Sequence, residues 1–310
     1  MNELALAVFA SETGVHLLRP PGTARWRDHL RAFDARAYEA TLAERGFRFT
    51  AELPPLLRSI HDPPVGLFVR GGAALDVLGR RAVAIVGARA CSGYGASVAR
   101  GLAREAAASG LVVVSGLARG IDGEAHRGAL DAGGTTVAVL GCGIDRDYPA
   151  AHADLARRIA ETGLVVSEYA PGVEPAPWRF PARNRIVAGL AGATVVVEAR
   201  ERSGALITAD LALEEGREVF AVPGEITSPL SAGTNALLKL GAAPLTCAAD
   251  LGIEPAAPAA GSPLLGLLPA TADELVRLTG RDAADISREL VELELAGRVV
   301  ARDGVYRGSA

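Results

Sequence analysis

The chain has 310 residues, of which 49% are hydrophobic and 22% charged, and its formal net charge is -4 at pH 7. This composition is typical of a globular protein. The net negative charge excludes broad, nonspecific coating of duplex DNA, which requires a basic surface. Any nucleic-acid site must therefore be local.

Membrane and metal-binding classes are disfavoured as well. No apolar run reaches the ~18 residues that a membrane span requires, and the apolar run near the N-terminus lacks the basic flank of a signal peptide. We therefore expect a cytoplasmic protein with no membrane partner. The three cysteines, Cys91, Cys142 and Cys247, form no C-x-x-C pair, which argues against a disulfide framework and a zinc site. We expect no metal and no cofactor.

The sequence pattern of residues 1–75 predicts a small α-helical N-terminal module. Within it, 27–46 has a helical pattern and 54–67 is interrupted by prolines.

Residues 76–253 alternate short apolar runs with alanine-rich helical segments. The runs are rich in Val, Ile and Leu, as strands buried on both faces are. They lie at 82–86, 111–114, 135–140, 164–166, 194–197, 219–222 and 244–246. This alternation predicts an α/β fold with an extended Rossmann-like, doubly wound and mostly parallel sheet.

The segment 254–263 has the proline- and alanine-rich composition of a linker. Residues 264–310 predict a winged-helix domain, since a capping box at Thr271 opens one helix, a second helix follows over 283–296, and Asp303-Gly304 marks a hairpin.

The second helix of this C-terminal domain is acidic. It carries Arg288 against four carboxylates, which are Asp285, Glu289, Glu292 and Glu294. Placing such a helix in a DNA groove would bring like charges together. We therefore predict that the domain contacts protein or regulates, and does not read DNA.

Glycine-rich turns follow several predicted strands, and ligands bind at such turns in open α/β sheets. The turn at 86–95 is not G-x-G-x-x-G, so the dinucleotide fingerprint fails. Backbone N–H groups, arginines and helix N-termini suit phosphates instead. The candidate phosphate contacts in these turns are Gly87, Arg89, Ser92, Gly116, Arg119, Gly233, Asn235 and Lys239. Several phosphate cradles on one edge fit a polymer backbone better than one mononucleotide.

The segment 178–185 is the most informative one. It holds Arg179, Arg183, Arg185 and two aromatic rings, Trp178 and Phe180, without a carboxylate. Guanidinium groups match phosphate oxygens, and ring faces stack on unpaired bases. We predict a single-stranded nucleic-acid site in this segment, with Arg183, Asn184 and Arg185 as candidate phosphate contacts and the rings of Trp178 and Phe180 as candidates for base stacking. The alternative is a buried Phe beside a solvated arginine loop.

Candidate catalytic groups are weaker. Asp122 and His126 share a helix face at i and i+4, but helix capping and a hydrogen-bonded histidine explain them more simply. Glu168 and Glu198 follow apolar strands and could form a carboxylate pair, although bonding to loop N–H groups or arginines is the simpler interpretation. We expect no catalytic residue.

Together these turns resemble the DNA-processing protein A (DprA/Smf) family. The matching motifs include Val86-Gly-Ala-Arg89, Ser115-Gly-Leu-Ala-Arg-Gly-Ile-Asp122, Phe180-Pro-Ala-Arg-Asn-Arg185, Ser203-Gly-Ala-Leu-Ile-Thr-Ala209 and Gly233-Thr-Asn235, and they run in order from about residue 63 to 247.

This resemblance implies a homodimer that binds single-stranded DNA and loads RecA during natural transformation, with no enzymatic reaction. It implies phosphate contacts at Arg89, Arg119, Arg183, Arg185 and Lys239, and stacking on Phe180. The helix-hairpin-helix signature usual at the family's N-terminus is reduced here to Pro20-Pro-Gly-Thr.

The alternative function is that of a Rossmann-like nucleotide phosphoribohydrolase. Its features would be Pro223-Gly224 and Gly233-Thr234, with Glu168 or Glu198 as the acid. In that class the two motifs stand closer together and a Glu follows, whereas this chain has Asn235 after the threonine.

Overall fold

The computed structural model describes residues 2–14, 19–253, 262–295, 298–302 and 304–308. The chain divides into two compact units, Met1–Glu254 and Pro255–Ala310. Each unit has its own buried apolar cluster. Most of the predicted linker, 254–261, lies outside the described residues.

The larger unit is built on a nine-stranded sheet among the described residues. Its strands are β1 (Phe47–Thr50), β2 (Leu67–Arg70), β3 (Ala82–Val86), β4 (Val112–Ser115), β5 (Thr136–Leu140), β6 (Leu164–Ser167), β7 (Ala193–Val196), β8 (Glu218–Ala221) and β9 (Ala243–Pro244). Its α-helices are α1 (Glu3–Thr13), α2 (Ala24–Ala32), α3 (Ala35–Glu44), α4 (Pro55–Arg58), α5 (Gly93–Ala108), α6 (Ile121–Asp131), α7 (Ala153–Thr162), α8 (Arg179–Gly189), α9 (Gly204–Glu214) and α10 (Ala232–Lys239).

The strand order is β1-β2-β6-β5-β4-β3-β7-β8-β9. All pairs from β6 to β9 are parallel, which confirms the predicted Rossmann-like architecture. The chain winds outward from β3 to β6 and then returns to β7 on the other side of β3. The carboxyl ends of β3 and β7 therefore form the topological switch point, where open α/β sheets bind ligands.

Alternate residues of the strands face opposite layers. Val83 and Ile85 pack with α5 and α6, while Ala84 and Val86 pack with α8 and α9. The central strands are buried on both sides, which explains why they appear in the sequence as unbroken apolar runs.

Residues 1–75 differ from the sequence expectation. The helices are present, and 27–46 is divided between α2 and α3. However, this region also supplies β1 and β2, and β2 pairs antiparallel with β6. Phe68 is fully buried in a cluster shared with β5, β6 and α7. The boundary predicted at residue 75 therefore does not separate two compact units.

The smaller unit has the predicted winged-helix order. Its elements are β10 (Ala270–Thr271), α11 (Ala272–Thr279), α12 (Ala283–Leu295), β11 (Val299–Arg302) and β12 (Val305–Gly308). The capping box is present, since Thr271 Oγ1 accepts from the Glu274 N–H at 3.3 Å and the Thr271 N–H donates to Glu274 Oε2 at 2.8 Å. Asp303 of the predicted hairpin turn lies outside the described residues.

No helix in the described part of the chain is both long enough and apolar enough to cross a membrane.

Candidate nucleic-acid interface

A cavity of about 210 Å³ opens at the switch point. It is bounded by the end of β3, the turn after β4, the first two turns of α8 and the start of α9. We call it the switch-point cavity. Six of the predicted site residues line it, which are Gly87, Arg89, Gly116, Phe180, Arg183 and Asn184.

A stack of three side chains stands at this cavity. The Phe180 ring lies 5.2 Å from the Tyr148 ring at an interplanar angle of 28°. The Arg89 guanidinium lies 5.5 Å from the Phe180 ring centroid, which is a cation–π distance. Arg89 is exposed and makes no ion pair with any described residue. The stack thus presents the exposed Tyr148 side chain beside a positive charge that has no ion-pair partner among the described residues.

Tyr148 was not among the predicted site residues, although its ring is 43% exposed. It follows β5 by eight positions in a segment with no helical or strand period, so its contact with Phe180 depends on tertiary structure. The sequence signal for it is Tyr148-Pro149, which is one of the motifs that resemble the family, although no role was assigned to it.

Arg183 is buried, which differs from the predicted surface contact with phosphate. Its guanidinium donates to the Gly116 carbonyl at 2.7 Å and to the Val139 carbonyl, so it ties together the ends of β4 and β5. Burial lowers the pKa of Arg183, and the nearby Asp122 carboxylate opposes that shift. The predicted role of Arg183 at a phosphate is therefore corrected to an internal one at the cavity wall.

Asp122 faces the same wall. Burial raises the pKa of its carboxyl group, while Arg183 and the backbone N–H groups of Ala118 and Gly116 oppose that shift. A Cβ at Gly116 would overlap both the Arg183 guanidinium and the Asp122 carboxylate. Glycine is required at this position because the two charged groups approach the backbone so closely.

Arg185 is tied to acidic neighbours. Its guanidinium donates to Glu168 at 2.7 and 3.0 Å and to Asp62 at 3.0 Å, and its side chain is only 9% exposed. Burial alone would lower the pKa of Arg185, but the Glu168 and Asp62 carboxylates raise it overall. The prediction that Arg185 meets phosphate is wrong for this conformation, because its donors already serve an internal ion-pair network.

The turn after β3 is not an open phosphate cradle. The buried Glu198 carboxylate accepts from the Ser92 N–H at 2.9 Å and from Ser92 Oγ at 2.5 Å, at the N-terminus of α5. An internal carboxylate therefore lies where a nucleotide phosphate would bind in a related sheet. Ser92 is an N-cap that also binds Glu198, and not a free phosphate ligand.

Two further predicted residues are internal. The Asn235 side-chain amide donates to the Gly224 carbonyl at 3.0 Å and accepts from the Gly224 N–H at 3.3 Å. The Gly233 N–H donates to the Ala199 carbonyl at 2.7 Å. Asn235 therefore holds the start of α10 against the loop after β8, and Gly233 holds it against the loop after β7. Both roles are structural.

Arg119 and Lys239 are exposed, and neither makes an ion pair with a residue that the structure describes. Asn184 is half-buried, donates to the Gly204 carbonyl at 3.2 Å and lines the switch-point cavity. Of the predicted cations, Arg89, Arg119 and Lys239 therefore remain accessible to a polyanion.

The predicted histidine assignment is confirmed. His126 is buried and its Nδ1 lies 2.7 Å from Thr136 Oγ1, so it is a hydrogen-bonded core residue. Within the described ranges, no group of three or more His, Cys, Asp or Glu side chains could hold a metal ion.

Comparison with known proteins supports the same interpretation. Residues 47–254 match the family model "DNA recombination-mediator protein A", and residues 262–304 match "DprA winged helix domain". Protein Smf of Escherichia coli is 40% identical, over 82% of this chain and 74% of its own length.

Two solved structures are also similar. DNA processing protein A from Streptococcus pneumoniae has 38% identity and a TM-score of 0.69, covering 81% of this chain and 93% of that one. DNA processing protein A from Helicobacter pylori, whose single-stranded DNA binding mode has been described, has 31% identity and a TM-score of 0.61, covering 66% of this chain and 93% of that one.

The ion-pair network of Arg185 predicts a stability effect. Arg185→Ala removes the guanidinium that pairs with Glu168 and Asp62, and breaking a buried pair costs about 3–5 kcal/mol. We expect this loss in the free energy of unfolding, measured by urea denaturation. Arg89→Ala is the matched control and should change stability by less than ~0.5 kcal/mol, because Arg89 is exposed. Equal stability of the two variants would contradict the internal role of Arg185.

Proposed function

Because the chain belongs to the DNA recombination-mediator protein A family, we propose that it is a single-stranded DNA-binding recombination mediator. In this role it protects incoming strands and loads RecA onto them during natural transformation. The observation that carries the proposal is the stack of Arg89, Phe180 and Tyr148 beside the switch-point cavity. It combines an exposed ring surface for unpaired bases with an unpaired cation for the backbone.

The pattern of charges favours a single strand over a duplex. Three accessible cations, Arg89, Arg119 and Lys239, give a small electrostatic contribution, so base stacking must supply much of the affinity. The faces of bases in a duplex are already stacked on each other and are not available to Phe180.

The geometry disfavours the phosphoribohydrolase alternative. Both carboxylates considered for it are engaged, Glu168 with Arg185 and Glu198 with Ser92. We therefore propose a role without catalysis. Incubation of the protein with nucleoside monophosphates tests this, since release of free base would overturn the proposal.

The strand-binding role predicts distinct effects for two substitutions. Phe180→Ala should weaken binding of oligo-dT by about 1–3 kcal/mol through loss of stacking. Arg89→Ala should weaken binding of all sequences similarly and reduce the salt dependence, because one phosphate contact is lost. Fluorescence anisotropy measures both.

Arg158→Ala is the matched control. Arg158 is exposed on α7 and lies away from the cavity, so this variant should bind as the unmodified protein does. If Phe180→Ala and Arg89→Ala also bound normally, the strand would have to bind elsewhere.

RecA loading is tested separately from strand binding. The rate at which RecA assembles on the same oligonucleotide should increase in the presence of the protein. Absence of any increase would remove loading from the proposal and leave strand binding intact.

We propose that the protein is a homodimer. Large apolar side chains are exposed on α9 and after α10, with Leu213 at 53%, Ile207 at 41% and Leu240 at 85% exposure. The family resemblance implies a homodimer, and exposed apolar side chains of this size are groups that such an interface would bury.

Leu213→Glu should convert a dimer to a monomer, because it buries a charge in the interface. Light scattering after size-exclusion chromatography measures this. Leu30→Glu, at a 43%-exposed position on α2, is the matched control and should stay dimeric. A monomeric unmodified protein would contradict the homodimer.

We also propose that the winged helix does not read duplex DNA. The exposed residues of α12 include Asp285, Glu292 and Glu294 together with Arg288, which itself pairs with Asp285 at 3.0 Å. Removal of the residues after 253 should leave binding to a short duplex at low salt unchanged in a gel shift. Loss of duplex binding on truncation would overturn this assignment.

A further inference from the structure

A second cavity, of about 330 Å³, lies on the other side of the start of α8. We call it the Trp178 cavity. Small residues of α1 and α8 form much of its wall, among them Ala7, Ala10 and Ala182, and the aromatic side chains of Tyr169 and Trp178 also line it. Trp178 is 52% exposed, whereas Tyr169 is only 8% exposed.

The Tyr169 hydroxyl makes no hydrogen bond to any group in the described parts of the chain. Burial raises the pKa of Tyr169 to about 12, so the hydroxyl stays protonated at neutral pH and can donate. The hydroxyl oxygen is nevertheless within reach of water, although the rest of the residue is buried. A ligand in the cavity that Tyr169 lines would replace that water as the acceptor.

The polar end of the Trp178 cavity repels phosphate. Arg185 contributes one positive charge there, and Glu168 and Asp62 contribute two negative charges. Positive charge is instead available next to the cavity wall, where the Arg179 guanidinium lies 4.8 Å from the Trp178 ring centroid and 5.2 Å from that of Tyr169. An uncharged ring fits inside, and a phosphate attached to it fits outside.

The two cavities share one structural element. Phe180, Arg183 and Asn184 line the switch-point cavity, whereas Trp178 and Ala182, from the same turn, line the Trp178 cavity. A flexible strand that passes over the start of α8 can therefore reach both cavities.

We propose that the Trp178 cavity holds a second unpaired base of the strand whose first base stacks at Phe180. The ligand is an uncharged heteroaromatic ring that accepts a hydrogen bond from the Tyr169 hydroxyl and packs near Trp178, with its phosphate outside. This inference rests on the proposed strand-binding function and adds a second base subsite to it.

The test uses oligonucleotides of roughly twelve residues in which every position is abasic except one or two thymines, a length within the usual range of single-strand sites. The spacing between the two thymines is varied. At one spacing, the second thymine should tighten binding about fivefold or more, since a stacked base contributes on this scale. If there were only one subsite, either of the two thymines could occupy it, and the affinity would rise only twofold for statistical reasons.

Variants that fill the Trp178 cavity identify the source of that gain. Ala182→Leu should remove the gain and leave the one-thymine affinity unchanged. Ala10→Leu fills the cavity from the opposite wall and should act in the same way, which covers the case in which Ala182→Leu does not fold.

Tyr169→Phe should reduce the gain about threefold through loss of one hydrogen bond. Ala108→Leu, at an exposed position at the end of α5, is the matched control and should retain the gain.

Two results would overturn the second subsite while the proposed function stands. One is the absence of any spacing with more than a twofold gain, and the other is a gain that survives both filling variants. In either case the Trp178 cavity would bind a side chain of a protein partner and not a base. Failure of fully base-bearing oligo-dT to bind would instead overturn the proposed function itself, and this site with it.

Discussion

The carboxyl edge of the sheet is organised by the requirement that a buried charge have a partner. Removing a charge from water is costly unless an opposite charge or several hydrogen bonds compensate it. Arg185 meets this requirement with Glu168 and Asp62, and Glu198 meets it with the N-terminus of α5. Arg183 meets it with two backbone carbonyls near Asp122. These pairings fix the loops on both sides of the switch point.

The same pairings decide what the edge can bind. Since Glu198 already occupies the N-terminus of α5, the helix that follows β3, a mononucleotide phosphate cannot bind there. The groups that remain available are a few exposed cations and the rings of Phe180 and Tyr148 on a fixed scaffold. Such a surface selects ligands whose bases are unstacked and whose backbone is flexible. A single strand has both properties, and a duplex has neither.

The sequence predicted the fold well, because strands that are buried on both faces and separated by alanine-rich helices are compatible with few fold classes other than a parallel α/β sheet. It did not predict β1 and β2, since they are short and follow charged or proline-rich segments. For the site, Arg89 and Phe180 do line the switch-point cavity, and their roles at a phosphate and at a base stay predictions. The sequence assigned Arg183 and Arg185 to phosphates because an arginine-rich segment without carboxylates looks solvent-exposed. Apart from the Ala182 carbonyl, which also accepts from Arg185, their acidic and carbonyl partners come from positions 17 to 123 residues away, which only the tertiary structure brings together.

The most direct test of this account is the affinity for oligo-dT and for a duplex of equal length across a salt series, measured by fluorescence anisotropy. With Arg89, Arg119 and Lys239 accessible and Arg179 beside the Trp178 cavity, the account predicts a preference for the single strand and a log–log salt slope of about -3 per chain, at ~0.7 per phosphate contact. Equal affinity for the duplex would contradict it. A slope more than twice as steep would contradict it as well, because cations other than these four would then have to bind phosphate.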